Sequence, residues 1–303
     1  MAFLRFLESI RVPGLNEFML LITQLGEETA FLVAALIMFW CIDKYRGYYL
    51  LAVGFVGTLL NQFMKLLFRI PRPWVVDPDF TILEQAREAA AGYSFPSGHT
   101  QSAVGTFGSI AYTTKDRWIR IACVAVAVLV PISRMYIGVH TPLDVLVAAA
   151  MAVVLIIVLQ PVVLGNRKKY MPVLLGVMTL MAVGFLCFVK LWPFPADIDQ
   201  HNLDSGVKNA FTLLGALFGL LVVYTADEKW LHFEVKAVWW AQILKVAAGL
   251  GIVLVVKSGL KVPLNALLGE SVGRAVRYFL IVIVAGIVWP LSFRWFAKLG
   301  NRE

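Results

Sequence analysis

Nine long apolar runs restrict this chain to one class of fold. A helix needs about 20 mostly apolar residues to cross the hydrocarbon core of a bilayer, and each of these runs has about 16–24 residues. Hydrophobic residues make up 60% of the 303 residues and charged residues 15%, against about 25% charged in soluble domains. We therefore predict an all-α fold, a polytopic transmembrane helix bundle. The predicted spans are 22–42, 47–69, 98–114, 118–138, 142–163, 171–192, 207–225, 239–257 and 275–297.

The net charge of +8 does not indicate a nucleic-acid-binding protein. Such proteins carry a basic stripe with interleaved aromatic residues, whereas basic loops between apolar helices account for the charge here. Cys41, Cys123 and Cys187 lie within apolar runs without paired spacing, so we expect neither disulfides nor a cysteine metal site. Membrane lipids are the expected surroundings, with no nucleic-acid partner. The sequence does not specify the oligomeric state.

The N-terminal segment, residues 1–19, differs from the apolar runs. Its first residues alternate so that Phe3, Phe6, Leu7 and Ile10 would share one face of a helix. A short amphipathic helix of this kind lies in the plane of the membrane interface. We therefore predict an interfacial segment rather than a span.

Charge orients the helices if the first span enters the cytoplasm. The segments on that side carry 13 Lys and Arg against 6 Asp and Glu, and the opposite side is close to neutral, although its Lys and Arg are nearly as many. The cytoplasmic segments are 43–46, 115–120, 167–169, 226–238 and the tail 294–303. Five ionisable residues at the ends of spans then lie on the same, extracytoplasmic face: Lys65, His99, Arg134, His140 and Asp144.

Cations and helix N–H groups on that face fit an anion. Lys65, Arg72 and Arg134 can together neutralise a charge near −2, and a guanidinium can bind two phosphate oxygens at once. Ser97 is a plausible N-cap, and the free N–H groups that begin at Gly98 would face the same anion. A phosphate is the ligand that this arrangement fits.

Two histidines supply the chemistry for cleaving a phosphate ester. His140 and Asp144 are spaced i, i+4, so the carboxylate can hold one ring nitrogen protonated and leave the other free as a nucleophile. His99, at a helix N-terminus, would act as general acid once a phosphate dianion is bound. A metal held by the two histidines and Asp144 is the alternative. The neighbouring cations oppose a bound dication, so we predict no metal and no cofactor.

The spacing of these residues resembles the three-part signature of the type 2 phosphatidic acid phosphatase (PAP2) superfamily. The motifs are Lys65-x6-Arg72-Pro73, Pro96-Ser97-Gly98-His99 and Ser133-Arg134-x5-His140-x3-Asp144. The resemblance implies a metal-independent phosphatase with His140 as nucleophile, Asp144 as its orienting group and His99 as acid. It also implies that Lys65, Arg72, Ser97, Gly98 and Arg134 form the phosphate cradle.

The resemblance also implies an architecture. A six-helix core over roughly 20–165 would be the catalytic part, and about three further transmembrane helices would form a C-terminal extension over 166–303. The nine-helix layout is similar to the sphingosine-phosphate and glucose-6-phosphate phosphatase branches. The motifs alone equally suit a bacterial undecaprenyl-pyrophosphate phosphatase.

We predict an integral membrane phosphatase that hydrolyses a lipid phosphate or pyrophosphate through a phosphohistidine, with its active site on the extracytoplasmic face. The membrane would be the plasma (inner) membrane, or the endoplasmic reticulum in a eukaryote. The alternatives are a phosphatase of a soluble sugar phosphate and a transporter or lipid-phosphate binder without catalysis. His201, with Asp197 and Asp199 beside it, could select a headgroup or could simply be solvated.

Overall fold

The computed structural model describes residues 1–87, 90 and 92–299, and their regular structure is helical without a strand. Residues 300–303 of the predicted cytoplasmic tail, and the side chain of Arg167, lie outside the described part. The α-helices are α1 Ala2–Ser9, α2 Pro13–Gln24, α3 Glu28–Ile37, α4 Lys44–Phe68, α5 Pro73–Val76, α6 Gly98–Thr113, α7 Arg117–Ile137, α8 Pro142–Gln160, α9 Arg167–Leu191, α10 Gln200–Ala226, α11 Trp239–Gly259, α12 Lys261–Ile283 and α13 Phe293–Lys298.

Seven helical segments among the described residues are long and apolar enough to cross a membrane by length and composition. They are Lys44–Val76, Arg117–Ile137, Pro142–Gly165, Lys168–Leu191, Gln200–Leu231, Trp239–Gly259 and Lys261–Lys298. The bent pair α2 and α3 raises the number to eight. The one remaining predicted span, 98–114, is present as α6. This helix has 16 residues and is short for a span of about 20. The prediction of an all-α polytopic membrane protein is confirmed.

The first predicted span is broken near its beginning. Helices α2 and α3 meet at an angle of 52°, at the point where Glu27 and Glu28 interrupt the apolar sequence. The break packs tightly, because a Cβ on Gly26 would lie 2.9 Å from the carbonyl oxygen of His99. Only glycine therefore fits where the break meets the start of α6.

The described residues divide into two compact units. The first comprises Met1–Ala34, Tyr49–Pro161 and Asp197–Leu203, and the second comprises Ala35–Tyr48, Val162–Ala196 and Asp204–Glu303, of which the last four residues are not described. Helix α6 lies in the centre of the first unit, packed against α7 and α8.

Small residues bring helices close together in both units. In the first unit, a Cβ on Gly108 of α6 would lie 2.8 Å from Ile156 of α8. In the second unit, a Cβ on Gly215 of α10 would lie 2.0 Å from the carbonyl oxygen of Ala275 on α12. Close backbone approach at glycine is a common way to pack helices in membranes, where lipid supplies no hydrophobic force between them.

Helix α1 is amphipathic, but its buried face differs from the predicted one. Phe3, Phe6 and Ile10 are exposed, as the predicted membrane-facing surface requires. Leu7 was expected on the same face, but it is 8% exposed and buried together with Leu4. The reason is that α1 packs against α7, so the protein covers one side of the helix.

Candidate active site

The first two predicted cations lie at and beyond the end of α4. Lys65 occupies the last turn, and its Nζ donates a hydrogen bond to the carbonyl oxygen of Tyr93 at 2.5 Å. Arg72 is 6% exposed and serves as the N-cap of α5. It stands between Pro71 and Pro73, whose rings fix the backbone φ angle on both sides. The sequence therefore restrains Arg72 before any side-chain contact is made.

The guanidinium of Arg72 contacts the imidazole of His140. Its Nε donates to the carbonyl oxygen of Gly92 and its Nη1 to that of Val139, both at 2.8 Å. Nη1 also lies 2.9 Å from Nε2 of His140. The same Nη1 is 3.5 Å from Nδ1, so it lies over the ring near both nitrogens rather than in line with the in-plane lone pair of Nε2. The contact therefore places a cation beside the ring without occupying that lone pair.

The carboxylate of Asp144 lies on the opposite side of the same imidazole. Its Oδ2 accepts hydrogen bonds from the backbone N–H of Thr141 at 2.7 Å and from Oγ of Ser94 at 2.6 Å. Thr141 in turn caps α8, which completes a capping box with Asp144. Nδ1 of His140 is 3.5 Å from Oδ2, at the outer limit of hydrogen bonding. The capping box therefore fixes the carboxylate beside the ring.

The surroundings of His140 favour its neutral form. The residue is 2% exposed and lies in the short link between α7 and α8. Burial, and then the positive charges of Arg72, Arg134 and Lys65, lower the pKa of His140 well below its usual value. A neutral imidazole with a free lone pair is the state that a nucleophile requires.

Arg134 is a buried cation with donors left over. It is 1% exposed, and its Nη1 donates to Oγ1 of Thr23 at 2.8 Å. Its Nε and Nη2 have no hydrogen-bond partner among the described residues. A buried, unpaired N–H group costs about 1–3 kcal/mol, and more on a charged group. Unpaired donors of this kind are expected where a protein binds an anion.

The start of α6 supplies further donors. Ser97 is the N-cap, and its Oγ accepts from the backbone N–H of Thr100 at 3.3 Å, which confirms the predicted cap. The backbone N–H of Ser97 donates to the carbonyl oxygen of Asp144 at 3.1 Å. Gly98 and His99 follow as the first residues of the helix. The helix dipole at this end favours a negative charge.

Gly98 and His99 also line a cavity of about 510 Å³. His140, Arg134 and Asp144 are each no more than 2% exposed. None of these three residues lines the cavity, which meets the candidate site residues at Gly98 and His99.

Neutral polar residues complete the arrangement, and the sequence did not predict them. Ser94 bonds to Asp144, Thr23 bonds to Arg134, and Asn61 donates through Nδ2 to the carbonyl oxygen of Pro96 at 3.2 Å. The only local indication that Ser94 belongs to the site is its position just before the motif that begins at Pro96. Thr23 and Asn61 had none, since serine, threonine and asparagine are common in helices for other reasons.

The remaining predicted candidates are less connected. His201 is exposed, and the neighbouring Asp199 accepts from the backbone N–H of Asn202 at 3.1 Å near the start of α10. The three cysteines are free. Within the described part of the chain, no group of three or more His, Cys, Asp and Glu side chains could hold a metal ion.

Comparison with known proteins places these observations in a family. The PAP2 superfamily matches residues 46–168, which include all eight predicted site residues, and the "PAP2 superfamily phosphatase, transmembrane extension" matches residues 211–302. Phosphatidylglycerophosphatase B of Bacillus subtilis is 35% identical over 152 residues, which are 45% of this chain and 70% of that relative. The chain belongs to the PAP2 superfamily.

Two further similarities extend the comparison. Sphingosine-1-phosphate phosphatase 1 of Mus musculus is 26% identical over 79% of this PAP2 chain, which spans 58% of that relative. The crystal structure of the PAP2-type phosphatidylglycerolphosphate phosphatase from Bacillus subtilis is 31% identical in sequence. The alignment of the two chains covers 55% of this chain and 84% of the Bacillus subtilis chain, with a TM-score of 0.45. The family match and the apolar helices identify the PAP2 chain as an integral membrane phosphatase of this superfamily.

Proposed function

We propose that this PAP2 protein hydrolyses the phosphate ester or pyrophosphate of a membrane lipid through a phosphohistidine on His140. The observation that carries the proposal is the 2.9 Å contact between Nη1 of Arg72 and Nε2 of His140. A cation suited to phosphate thereby stands at the atom that would attack phosphorus. When a phosphate binds, its oxygens accept hydrogen bonds from Arg72, which places phosphorus next to the lone pair of Nε2.

The reaction then has two balanced steps. In the first, the Nε2 lone pair forms a bond to phosphorus, the bond from phosphorus to the leaving oxygen breaks, and His99 gives that oxygen its proton. In the second, His99 takes a proton from water, whose oxygen attacks phosphorus and releases inorganic phosphate from Nε2. Lys65, Arg72 and Arg134, with the hydroxyl of Ser97 and the N–H group of Gly98, hold the charged oxygens throughout.

Asp144 acts through His140 rather than on the substrate. A carboxylate beside Nδ1 keeps the proton on that nitrogen and stabilises the positive charge that the ring acquires in the first step. This pairing favours hydrolysis over simple binding of a phosphate, because binding needs no oriented nucleophile. The reaction as written uses only side chains of this chain and water, so we propose that it is independent of metal ions.

The relatives and the membrane setting support the proposed substrate class. Relatives named for phosphatidylglycerophosphate and for sphingosine 1-phosphate support a phosphorylated lipid. The excess of positive charge in the predicted cytoplasmic segments, 13 Lys and Arg against 6 Asp and Glu, supports an extracytoplasmic site, in the plasma membrane or, in a eukaryote, the endoplasmic reticulum. We propose residues 20–165 as the catalytic core, 166–303 as the transmembrane extension and 1–19 as the interfacial segment.

A substrate panel tests the proposed function. Purified protein in detergent, with EDTA present, is offered phosphatidic acid, sphingosine phosphate, undecaprenyl pyrophosphate and glucose 6-phosphate. We expect phosphate release from at least one lipid at a rate that EDTA does not change. Release from glucose 6-phosphate alone would support a soluble substrate instead. No release from any compound would contradict a phosphatase, and activity that EDTA removes and a divalent cation restores would contradict the metal-free mechanism.

A further inference from the structure

One arginine outside the three motifs connects the N-terminal segment to the end of α7. Arg11 lies in the short link between α1 and α2, and its Nε donates to the carbonyl oxygen of Tyr136 at 3.0 Å. Its Nη1 donates to the carbonyl oxygen of Thr81 at 2.8 Å. The guanidinium carbon also lies 5.6 Å from the ring centre of Phe80. Arg11 therefore joins α7 to the loop 77–83, which follows α5.

The contact of Arg11 with α7 is a helix cap supplied from elsewhere in the chain. The last carbonyl groups of a helix have no partners within the helix, and α7 ends at Ile137. The carbonyl oxygen of Tyr136 accepts from Arg11, and that of Ile137 accepts from the backbone N–H of Leu83 at 3.1 Å. A cation is also favourable at the C-terminal end of a helix dipole. Arg11 and the loop therefore fix the last turn of α7.

The turn that follows α7 is closely packed against the same two side chains. Gly138 has a φ angle of +93°, which glycine adopts without strain. A Cβ on Gly138 would lie 2.8 Å from Nη2 of Arg11 and 2.9 Å from the ring of Phe80. Only glycine therefore fits here, and Arg11 and Phe80 limit where the chain can run between α7 and α8.

This turn carries two groups of the candidate site. The carbonyl oxygen of Val139 accepts from Nη1 of Arg72 at 2.8 Å, and His140 is the next residue. A misplacement of about 1 Å can lower the rate of a reaction about 10²-fold, even when the changed residue is far from the reacting atoms. Arg11 is therefore able to affect the reaction without contacting the substrate.

We propose that Arg11 is a positioning residue, which fixes the turn between α7 and α8 and thereby holds His140 in place for attack on phosphorus. This role rests on the proposed function, in which His140 is the nucleophile. The structural alternative is that Arg11 only attaches the N-terminal segment to the rest of the protein. In that case its loss would lower the stability but would not change the reaction of the folded enzyme.

Arg5 provides the matched control, because it contacts the same loop from α1. Its Nη2 donates to the carboxylate of Asp77 at 2.8 Å and its Nη1 to the carbonyl oxygen of Asp79 at 2.9 Å. Its guanidinium carbon lies 5.5 Å from the ring centre of Phe80. In the described part of the chain no hydrogen bond of Arg5 reaches α7. Arg5→Gln therefore weakens the attachment of the N-terminal segment and leaves the bond of Arg11 to α7 intact.

The test compares Arg11→Gln with Arg5→Gln by three measurements in the same detergent: single-turnover phosphate release, binding of a lipid phosphonate and a thermal melt. We expect Arg11→Gln to lower the single-turnover rate roughly tenfold to a hundredfold and to retain binding, because the cations of the cradle remain. Arg5→Gln should keep the rate within about twofold of wild type. Equal rates in the two variants, or a rate that falls only in step with unfolding, would overturn the proposal. If Arg11→Gln does not fold, Arg11→Lys replaces it, with the same order of rates expected.

A spectroscopic measurement separates this proposal from the proposed function. Protein labelled with ¹⁵N-histidine gives ring-nitrogen signals, and His140→Ala assigns those of His140 among the four histidines. We expect Arg11→Gln to move these signals and Arg5→Gln to leave them in place, whether or not a substrate is hydrolysed. Unmoved His140 signals in folded Arg11→Gln protein would overturn the positioning role while the phosphatase function stands. Moved signals in a protein without phosphatase activity would support the positioning role and contradict the proposed function alone.

Discussion

His140→Ala will lower the rate of phosphate release by at least about 10⁴-fold, the scale of loss when a catalytic nucleophile is removed. The imidazole is the only protein group that bonds to phosphorus in the proposed mechanism, so no residual route uses the same intermediate. Binding of the headgroup will persist, because the donors of Arg72 and Arg134 remain and Arg72 keeps its bonds to Gly92 and Val139. The measurements are single-turnover phosphate release and equilibrium binding of a non-hydrolysable lipid phosphonate.

His201→Ala is the control for this variant. His201 is exposed and takes no part in the proposed reaction, so its loss should leave turnover within about twofold of wild type, as for most surface changes. Turnover retained by His140→Ala would exclude His140 as the nucleophile. Loss of binding together with turnover would assign the residue to the cradle instead.

Arg134→Gln will separate activity from stability. The buried guanidinium has two N–H groups without partners, Nε and Nη2, and we expect these to hold two phosphate oxygens. Their removal should lower kcat/KM by about 10²–10³-fold, as the loss of a preorganised donor to a transition-state oxygen does. The thermal unfolding temperature should not fall, because the variant removes an incompletely paired buried charge. Phosphate-release kinetics and a thermal melt in the same detergent measure both quantities.

Arg120→Gln is the matched control on the same helix. Arg120 is exposed near the start of α7 and donates to the carbonyl oxygen of Thr114 at 2.7 Å. Its replacement should change neither the activity nor the melt appreciably. An Arg134→Gln protein that is fully active, or one that loses activity only in step with unfolding, would contradict a phosphate-binding role for Arg134.

Most of the fold could be predicted because a bilayer selects helices by length and hydrophobicity. The seven spans of α4 and α7–α12 follow directly from apolar runs. The sequence indicated where the first span is interrupted, at Glu27, but not the 52° bend. The packing of Gly26 against the distant His99 is a tertiary contact that no local pattern encodes. Hydrophobicity alone predicts α6 as a span, but the length of the helix, 16 residues, is set by its caps Ser97 and Thr114.

The charged residues of the candidate site could also be predicted, because they lie in or next to apolar runs, where ionisable residues are rare. Their mutual contacts could not. The sequence predicted that Asp144 orients His140, and the structure places Nδ1 3.5 Å from Asp144, but the contact of Arg72 with Nε2 at 2.9 Å was not predicted. Ser94 bonds to the same carboxylate. Neutral partners such as Ser94 and Thr23 carry no sequence signal comparable to a buried charge.

The covalent intermediate on His140 is the central claim, and its capture is the most direct test. Wild-type protein is mixed with ³²P-labelled lipid phosphate, quenched in alkali within milliseconds to preserve phosphohistidine, and digested for peptide mapping. We predict label on the peptide that contains His140, label removed by later acid treatment, and none in the His140→Ala protein. Phosphate release by the wild type without labelled His140, or label of equal amount in His140→Ala, would contradict the account.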